Sequence, residues 1–235
     1  MDGELQNANG FFFNDVLVGA PSWNGGRGKV YLFSGTSTGF STPAFWTFSG
    51  SQANTSFGFS VKGDLDLDNA GFNSRDLVVG APDYDGTYAN QGRVYVFRNF
   101  TNPGSGWTAT PTTLDTTAPQ ANARLGYCVA GGDVDNGGRD DVIVGAPYYG
   151  ANSKGRVFIF WGRSNQEPNP IPEELNSGQP TMTGEHFGSS VAFLPKITPP
   201  CIFAFPCLAG GAPEGSSSGF SNNGLVTVFQ FEPAP

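Results

Sequence analysis

Two runs of carboxylates in this chain are spaced for chemistry with a hard cation. One reads Asp133-Val134-Asp135-Asn136-Gly137-Gly138-Arg139-Asp140-Asp141. Asp133, Asp135 and Asp141, at its first, third and ninth positions, can converge on a single ion. The backbone carbonyl of Arg139 would add a further oxygen, and Gly138 permits the tight turn between them. An all-oxygen set supplied by a compact loop is how proteins hold calcium. The second run is Asp64-Leu65-Asp66-Leu67-Asp68, followed by a longer route to Asp76. Here Asp64, Asp66, Asp68 and Asp76 are the candidate ligands, with Asn73 or a carbonyl near Ser74 as substitutes within the longer route. A third, degenerate stretch near the start leaves Glu4, Asn9 and Asp15 as a weak candidate site, and the residues alone do not decide whether it holds metal.

Loops of this kind need rigid flanks, and the flanks repeat. Gly-Ala-Pro occurs at Gly19-Ala20-Pro21, Gly80-Ala81-Pro82, Gly145-Ala146-Pro147 and Gly211-Ala212-Pro213, at steps of 61, 65 and 66 residues. A period of this size marks one supersecondary unit built several times. Each Gly-Ala-Pro closes a short apolar run: Asp15 to Val18, Asp76 to Val79, Asp141 to Val144 and, more weakly, Cys207 to Gly210. Continuous β-branched runs of this length read as strands buried on both faces. Pro lacks the N–H that a ladder needs, so it ends them.

A second strand follows each time after a Gly- and Asn-rich spacer that suits a hairpin. These strands open at Gly28, Gly92, Gly155 and Gly224 and end at Phe33, Phe97, Phe160 and Phe229. Upstream lie third-strand signals at Phe57-Gly58-Phe59-Ser60-Val61, Leu125-Gly126-Tyr127-Cys128-Val129 and Phe187-Gly188-Ser189-Ser190-Val191. A fourth, less regular stretch follows the hairpin, as in Phe45 to Phe48 and Trp107 to Thr110. Four short strands per unit, with no amphipathic helix between them, describe a propeller blade. The fold class expected is all-β: about four four-stranded antiparallel blades, the first and last incomplete, in a single domain or propeller segment over 1–235. The units fall at about 1–50, 51–118, 119–184 and 185–235. The solvated-turn reading of the acidic runs loses ground because both occupy the same register between the same strands.

These landmarks resemble the FG-GAP repeat of integrin α-subunit N-terminal propellers, and the resemblance covers nearly the whole chain. It implies blades of a β-propeller that is usually seven-bladed, extracellular and calcium-bearing. Similar repeats occur in some lectins, in bacterial surface proteins and beside a phospholipase D catalytic domain, so fold outruns function. The family's loop usually has Asp or Asn at its fifth position. Gly137 stands there instead, so one ligand is missing or replaced.

The fourth unit has no acidic loop. Its equivalent stretch is flanked by Cys201 and Cys207, and a disulfide closing the loop where calcium closes the others is the expectation. Asn54-Thr55-Ser56 and Asn99-Phe100-Thr101 match the glycosylation sequon. The net charge of −8 argues against a nucleic-acid partner, which needs a basic surface. No apolar run approaches the ~20 residues of a membrane span, and Met1 leads directly into polar sequence. With 34 Gly and 18 Pro in 235 residues the strand periodicity implies many tight turns. One histidine, no nucleophile elbow and no phosphate loop give no reason to expect an enzyme.

Function is expected from the loops after the Gly-Ala-Pro strands, which carry Trp23, Tyr84, Tyr88, Tyr148 and Tyr149. Aromatics on rigid loops suit protein contact or sugar stacking. An alternative use of the same rings is packing between blades. The leading expectation is a calcium-stabilised adhesion or recognition module, extracellular or at the cell surface, binding a protein or glycan. A lectin of the same fold and a structural subunit of a surface fibre or layer are the alternatives. The incomplete end units leave three arrangements open: part of a larger propeller, closure with a second copy or another subunit, or a small ring of about four blades.

Overall fold

A computed structural model describes residues 4–5, 14–69, 75–98, 110–164, 167–178, 184–195, 206–215 and 224–231. They form four antiparallel blades. The first is β1 (Glu4–Leu5), β2 (Asp15–Ala20), β3 (Lys29–Phe33) and β6 (Trp46–Ser49), with a small ribbon of β4 (Gly35–Thr36) and β5 (Gly39–Phe40) inserted before the last strand. The second is β7 (Ser60–Leu65), β8 (Asp76–Ala81), β9 (Arg93–Phe97) and β10 (Thr112–Leu114). The third is β11 (Cys128–Gly132), β12 (Asp141–Ala146), β13 (Arg156–Phe160) and β14 (Glu173–Leu175). The fourth has three strands, β15 (Ser190–Leu194), β16 (Cys207–Ala212) and β17 (Leu225–Gln230). Each blade's strands pair in chain order, as a meander. The two-residue β1 fills the inner position of the first blade, where sequence offered no Phe-Gly strand. In the second blade the fourth strand lies at β10, beyond Trp107, which is outside the described residues.

The core lies between blades rather than within them. One layer joins Leu17, Val30 and Leu32 of the first blade to Phe57, Leu77, Val79 and Phe97 of the second. The next joins Val78, Val94 and Val96 to Leu125, Val142, Val144, Phe158 and Phe160. The third joins Ile143, Val157 and Ile159 to Phe187, Leu208 and Ala212. Because side chains alternate across a strand, β8 sends Leu77 and Val79 to the blade before it and Val78 to the blade after it. That is why β8 and β12 are apolar on both faces and buried at every position. In β2 only one face is packed, and Val16 and Val18 are half-buried.

Each joint repeats one backbone arrangement at the Gly-Ala-Pro end of the blades. The residue before the Phe-Gly glycine forms a parallel bridge to the glycine that opens the preceding blade's third strand: Gly28 with Phe57, Gly92 with Leu125, Gly155 with Phe187. A Cβ on any of those three opening glycines would stand within 2.0–2.2 Å of that backbone, and all three have φ near +80°. Only glycine fits there. The turns leading in hold paired left-handed residues, Asn54 and Ser56, Asn122 and Arg124, Gly184 and His186. The single histidine is thus a turn residue.

Candidate metal centre

The loop between β11 and β12 gathers Asp133, Asp135 and Asp141, with one carboxylate oxygen from each within 4.8 Å of the others. It is the one such cluster of three among the described residues. Backbone geometry builds it. Asn136 and Gly138 take left-handed conformations, φ 58° and 78°, which fold the loop back on itself. The Gly137 N–H donates to Asp133 Oδ1 and Asp135 Oδ1, both at 2.8 Å, and the Gly138 N–H donates to Asp133 Oδ2 at 3.0 Å. A Cβ at position 137 would lie 2.6 Å from Asp135 Oδ1. Gly137, the residue that departs from the usual ligand pattern, therefore leaves room for the carboxylates and donates to them.

Asp141 has a second duty that spacing did not reveal. Its Oδ2 accepts the Val134 N–H at 2.9 Å and its Oδ1 accepts the Gly162 N–H at 2.8 Å. The corresponding carboxylates do the same elsewhere. Asp76 Oδ2 accepts the Leu67 N–H at 2.8 Å, and Asp15 Oδ1 accepts the Gly35 N–H at 2.8 Å. All three are buried. The aspartate opening the second strand of a blade thus ties down either the loop before it or the exit from the third strand. In the third blade it does both.

Burial pushes the Asp141 carboxyl up to about 7, against the pull of the Gly162 and Val134 donors, and Asp135 and Asp133 add to the rise. Burial also raises Asp133. A hard cation would relieve this crowding of like charge, and the donor set, carboxylate oxygens in a tight loop, fits calcium. The Arg139 side chain lies along the third-strand exit, donating to Gly162 O at 3.4 Å and Ser164 Oγ at 3.2 Å.

The second acidic run is arranged differently. Asp64, with φ 61°, pairs with Arg75 Nε at 3.0 Å. The buried Asp68 pairs with Arg98 Nη1 at 3.1 Å, and Arg98 also reaches Glu167 at 2.9 Å. Asp66 turns its backbone to the third blade: its N–H donates to Asp140 Oδ2 at 2.8 Å and its carbonyl accepts the Asp140 N–H at 2.9 Å. Among the described residues Asp64, Asp66, Asp68 and Asp76 do not converge as the third loop's carboxylates do. Asn73 and Ser74 lie outside the described residues, as does Asn9 of the first unit. The arginines come from up to 30 positions away, so local spacing could not anticipate them.

The aromatic residues also separate. Tyr149 is buried, edge-on to Phe158 at 5.1 Å, with its hydroxyl donating to Ala118 O at 3.0 Å. Tyr84 is half-buried beneath the Arg93 guanidinium, 4.1 Å from its ring, and its hydroxyl accepts from Arg93 Nη1 at 2.8 Å. Both serve packing. Tyr148 is half-buried against His186 at 4.6 Å. Trp23 and Tyr88 remain exposed, at 38% and 47%. These loops follow the second strand of a blade whereas the acidic loops precede it. The two features occupy opposite rims, separated by a six-residue strand, about 20 Å.

Cys201 lies outside the described residues, so its pairing with Cys207 does too; no disulfide occurs among the described residues. Cys128 bridges blades instead. Its thiol donates to Gly188 O at 3.0 Å, as the Ser60 hydroxyl donates to Gly126 O at 2.8 Å. Burial pushes the Cys128 thiol up to about 12, which keeps the S–H donor in place.

A family model described as the FG-GAP repeat matches residues 125–160. The chain is 35% identical over 174 residues to integrin alpha-5 of Xenopus laevis, covering 70% of this chain and 15% of that protein. It is 32% identical over 196 residues to integrin alpha-IIb of Homo sapiens, covering 81% and 17%. With integrin alpha-4 of Xenopus laevis the identity is 33% over 191 residues, covering 81% and 17%. The chain therefore spans less than a fifth of the length of these curated relatives.

Proposed function

We propose that this chain, an FG-GAP repeat β-propeller of integrin-like type, is a calcium-stabilised adhesion or recognition module of the cell exterior. The observation that carries the reading is the convergence of Asp133, Asp135 and Asp141 at the start of β12. With the Arg139 carbonyl, these residues would hold one calcium ion. The ion supplies a fixed positive charge that offsets three crowded carboxylates and pins the loop to the third blade. Since the acidic loops lie on the rim opposite the exposed aromatics, calcium here is structural and does not touch the ligand. In the second loop Asp64, Asp66, Asp68 and Asp76 would need to exchange Arg75 and Arg98 for metal, so the third loop is assigned the tighter site.

Recognition is assigned to the opposite rim, with Trp23 and Tyr88 as the exposed anchors. Large rings held on rigid loops lose little entropy when they bind. Likeness to proteins named as integrin alpha chains supports an adhesive role and an extracellular location, and among the described residues no helix is long and apolar enough to cross a membrane. Calorimetric titration of calcium into the chelator-stripped chain tests the metal reading. One site weakened at least about tenfold by Asp135→Asn is expected, and heat of binding unaffected by that change would reject it. A glycan array and a panel of matrix proteins, probed with the parent chain and with Trp23→Ala and Tyr88→Ala, test the ligand rim. Binding that both variants retain would move the ligand elsewhere.

A further inference from the structure

The turns that enter the second, third and fourth blades share one backbone design, and one of them is also a glycosylation sequon. Asn54, Asn122 and Gly184 hold the same place in these turns, with φ 57°, 60° and 68°. Each donates its N–H to the loop of the preceding blade: to Gly25 O at 3.2 Å, Ala89 O at 2.8 Å and Asn152 O at 2.8 Å. A left-handed backbone favours glycine or asparagine, and that alone accounts for Asn122. Its Oδ1 accepts from Asn90 Nδ2 across the joint at 3.0 Å. The residue two places further on is Arg124, which has no hydroxyl.

Asn54 differs on both counts. Gly26 stands where Asn90 stands in the next joint, two residues before the glycine that opens the third strand. A Cβ on Gly26 would lie 3.1 Å from Asn54 Cα and 3.4 Å from Asn54 Oδ1. With glycine there, no side chain of the first blade's loop takes up the Asn54 amide among the described residues, and Asn54 is exposed. Thr55 beside it is buried, its hydroxyl donating to Arg27 O at 3.1 Å. The turn is thus anchored through Thr55 and offers Asn54 to solvent. Ser56 supplies the hydroxyl that completes Asn-Thr-Ser. In the folded chain that hydroxyl donates to Asp83 Oδ2 at 2.7 Å. Asn99, of the other sequon, lies outside the described residues.

We infer that Asn54 is an acceptor for an N-linked oligosaccharide, and that the sugar stands on the ligand rim beside the Trp23 loop. In the transfer, Asn54 Nδ2 attacks the anomeric carbon of an oligosaccharide carried on a lipid diphosphate. The N–C bond forms and the C–O bond to the diphosphate breaks. The lipid diphosphate leaves with that electron pair, and the nitrogen sheds one proton. Transfer to the unfolded segment precedes the bond from Ser56 to Asp83. A glycan is bulky and needs a surface attachment point, which the exposed Asn54 provides. The Asn54 and Ser56 N–H groups donate to Gly25 O and Gly26 O, in the loop that carries Trp23. The sugar therefore shares its side of the rim with Trp23. Tyr88 is one joint further on, in the loop that receives Asn122, and stays open. The inference rests on the extracellular reading above, because a chain meets such a donor in the secretory pathway, and it is independent of the metal reading.

The test expresses the full chain behind a secretion leader in animal cells and analyses medium and lysate alike. Tryptic peptides are treated with peptide N-glycosidase in heavy-oxygen water, which leaves a labelled Asp wherever an Asn carried sugar. Label at Asn54, in the peptide ending at Lys62, is expected. It should be lost with Asn54→Gln and with Ser56→Ala, and kept with Ser56→Thr, which preserves the hydroxyl. Hydroxyl-radical footprinting of the intact chain should show Trp23 oxidising more slowly with the sugar than after its enzymatic removal, while Tyr88 is unchanged. Chain in the medium with a bare Asn54 overturns the inference and leaves the extracellular reading standing. Label at Asn54 on chain found only in the lysate upholds the acceptor and counts against that reading. Chain found only in the lysate with a bare Asn54 overturns both. Equal Trp23 oxidation with and without the sugar overturns its placement beside that loop.

Discussion

Gly145→Ala should cost far more stability than Gly211→Ala, although both replace the glycine of a Gly-Ala-Pro. At position 145 the added Cβ would stand 2.0 Å from Gly188 O and 2.4 Å from Cys128 Sγ, where ordinary contact begins at 3.4 Å. The oxygen belongs to the backbone of the next blade, so relief requires that blade to retreat by up to about 1.4 Å, the difference between those two distances. A radial gap of 0.5–1 Å already forfeits a quarter to a half of each dispersion contact. The contacts at risk here are those of Val157, Ile159, Phe187 and Leu208, all fully buried. The Cys128 thiol also loses Gly188 O. Overpacking of this kind costs about 1–3 kcal/mol, and with the opened layer about 3 kcal/mol is expected. At position 211 the one close neighbour of the Cβ among the described residues is Ser190 Oγ, at 2.3 Å, and a hydroxyl can rotate away. Alanine in a strand gains about 0.5–1 kcal/mol over glycine, so the net change should lie near zero. Urea unfolding followed by tryptophan fluorescence, at fixed calcium, reads the difference. With a slope of about 2–3 kcal/mol/M the Gly145→Ala midpoint should fall by roughly 1 M and the Gly211→Ala midpoint should barely move. Equal losses, or a neutral Gly145→Ala, would refute the account of the joints.

Three other expectations follow from single contacts. Asp141→Asn keeps one acceptor oxygen but sets an NH₂ against a buried N–H donor, so the chelator-treated chain should lose about 1–3 kcal/mol in urea unfolding; no loss would show that the carboxylate serves metal alone. Tyr149→Phe removes the bond to Ala118 O while keeping the ring on Phe158, and about 1 kcal/mol should be lost with no effect on ligand binding, which a parallel unfolding and binding assay would check. Asp140→Ala cuts the bond from the Asp66 N–H to the Asp140 carboxylate, and hydrogen exchange at the Asp66 amide should accelerate while exchange within β12 stays slow; unchanged Asp66 exchange would mean the tie is not formed in solution.

The repeat was open to reading because its glycines are forced by backbone contact. A side chain on Gly145 or Gly155 would collide with the next blade's backbone, and this contact recurs once in each unit. The doubly apolar strands were readable for a related reason: β8 and β12 each face two blades. What stayed hidden were effects that cross units. Arg98 reaches Asp68 from 30 positions away, and Tyr149 looks like a loop aromatic until Phe158 and Ala118 enclose it. Val226 is chemically identical to Val94 and Val157, and only the absence of a covering blade among the described residues sets it apart. Local pattern fixes what a residue can do, while its neighbours in the next unit decide what it does.

That division bears on how the closing aspartates relate to metal. Asp15, Asp76 and Asp141 open their strands in three units, yet among the described residues only Asp141 has two further carboxylates within 4.8 Å. The bonds they share run to backbone N–H groups, and those bonds need no ion. The first blade keeps Asp15 buried on Gly35 although its loop has lost most of its acids, which is the expected outcome if the aspartate's first task is to hold the start of the strand. Metal binding is then an elaboration of a turn that already stands. It requires two added carboxylates and left-handed residues at Asn136 and Gly138 to aim them. In the second blade the same turn is held with arginine as the counter-charge, through Asp64 to Arg75 and Asp68 to Arg98. The strand order of a unit therefore needs no cation, because its strands are fixed by the neighbouring blades and by the buried aspartate.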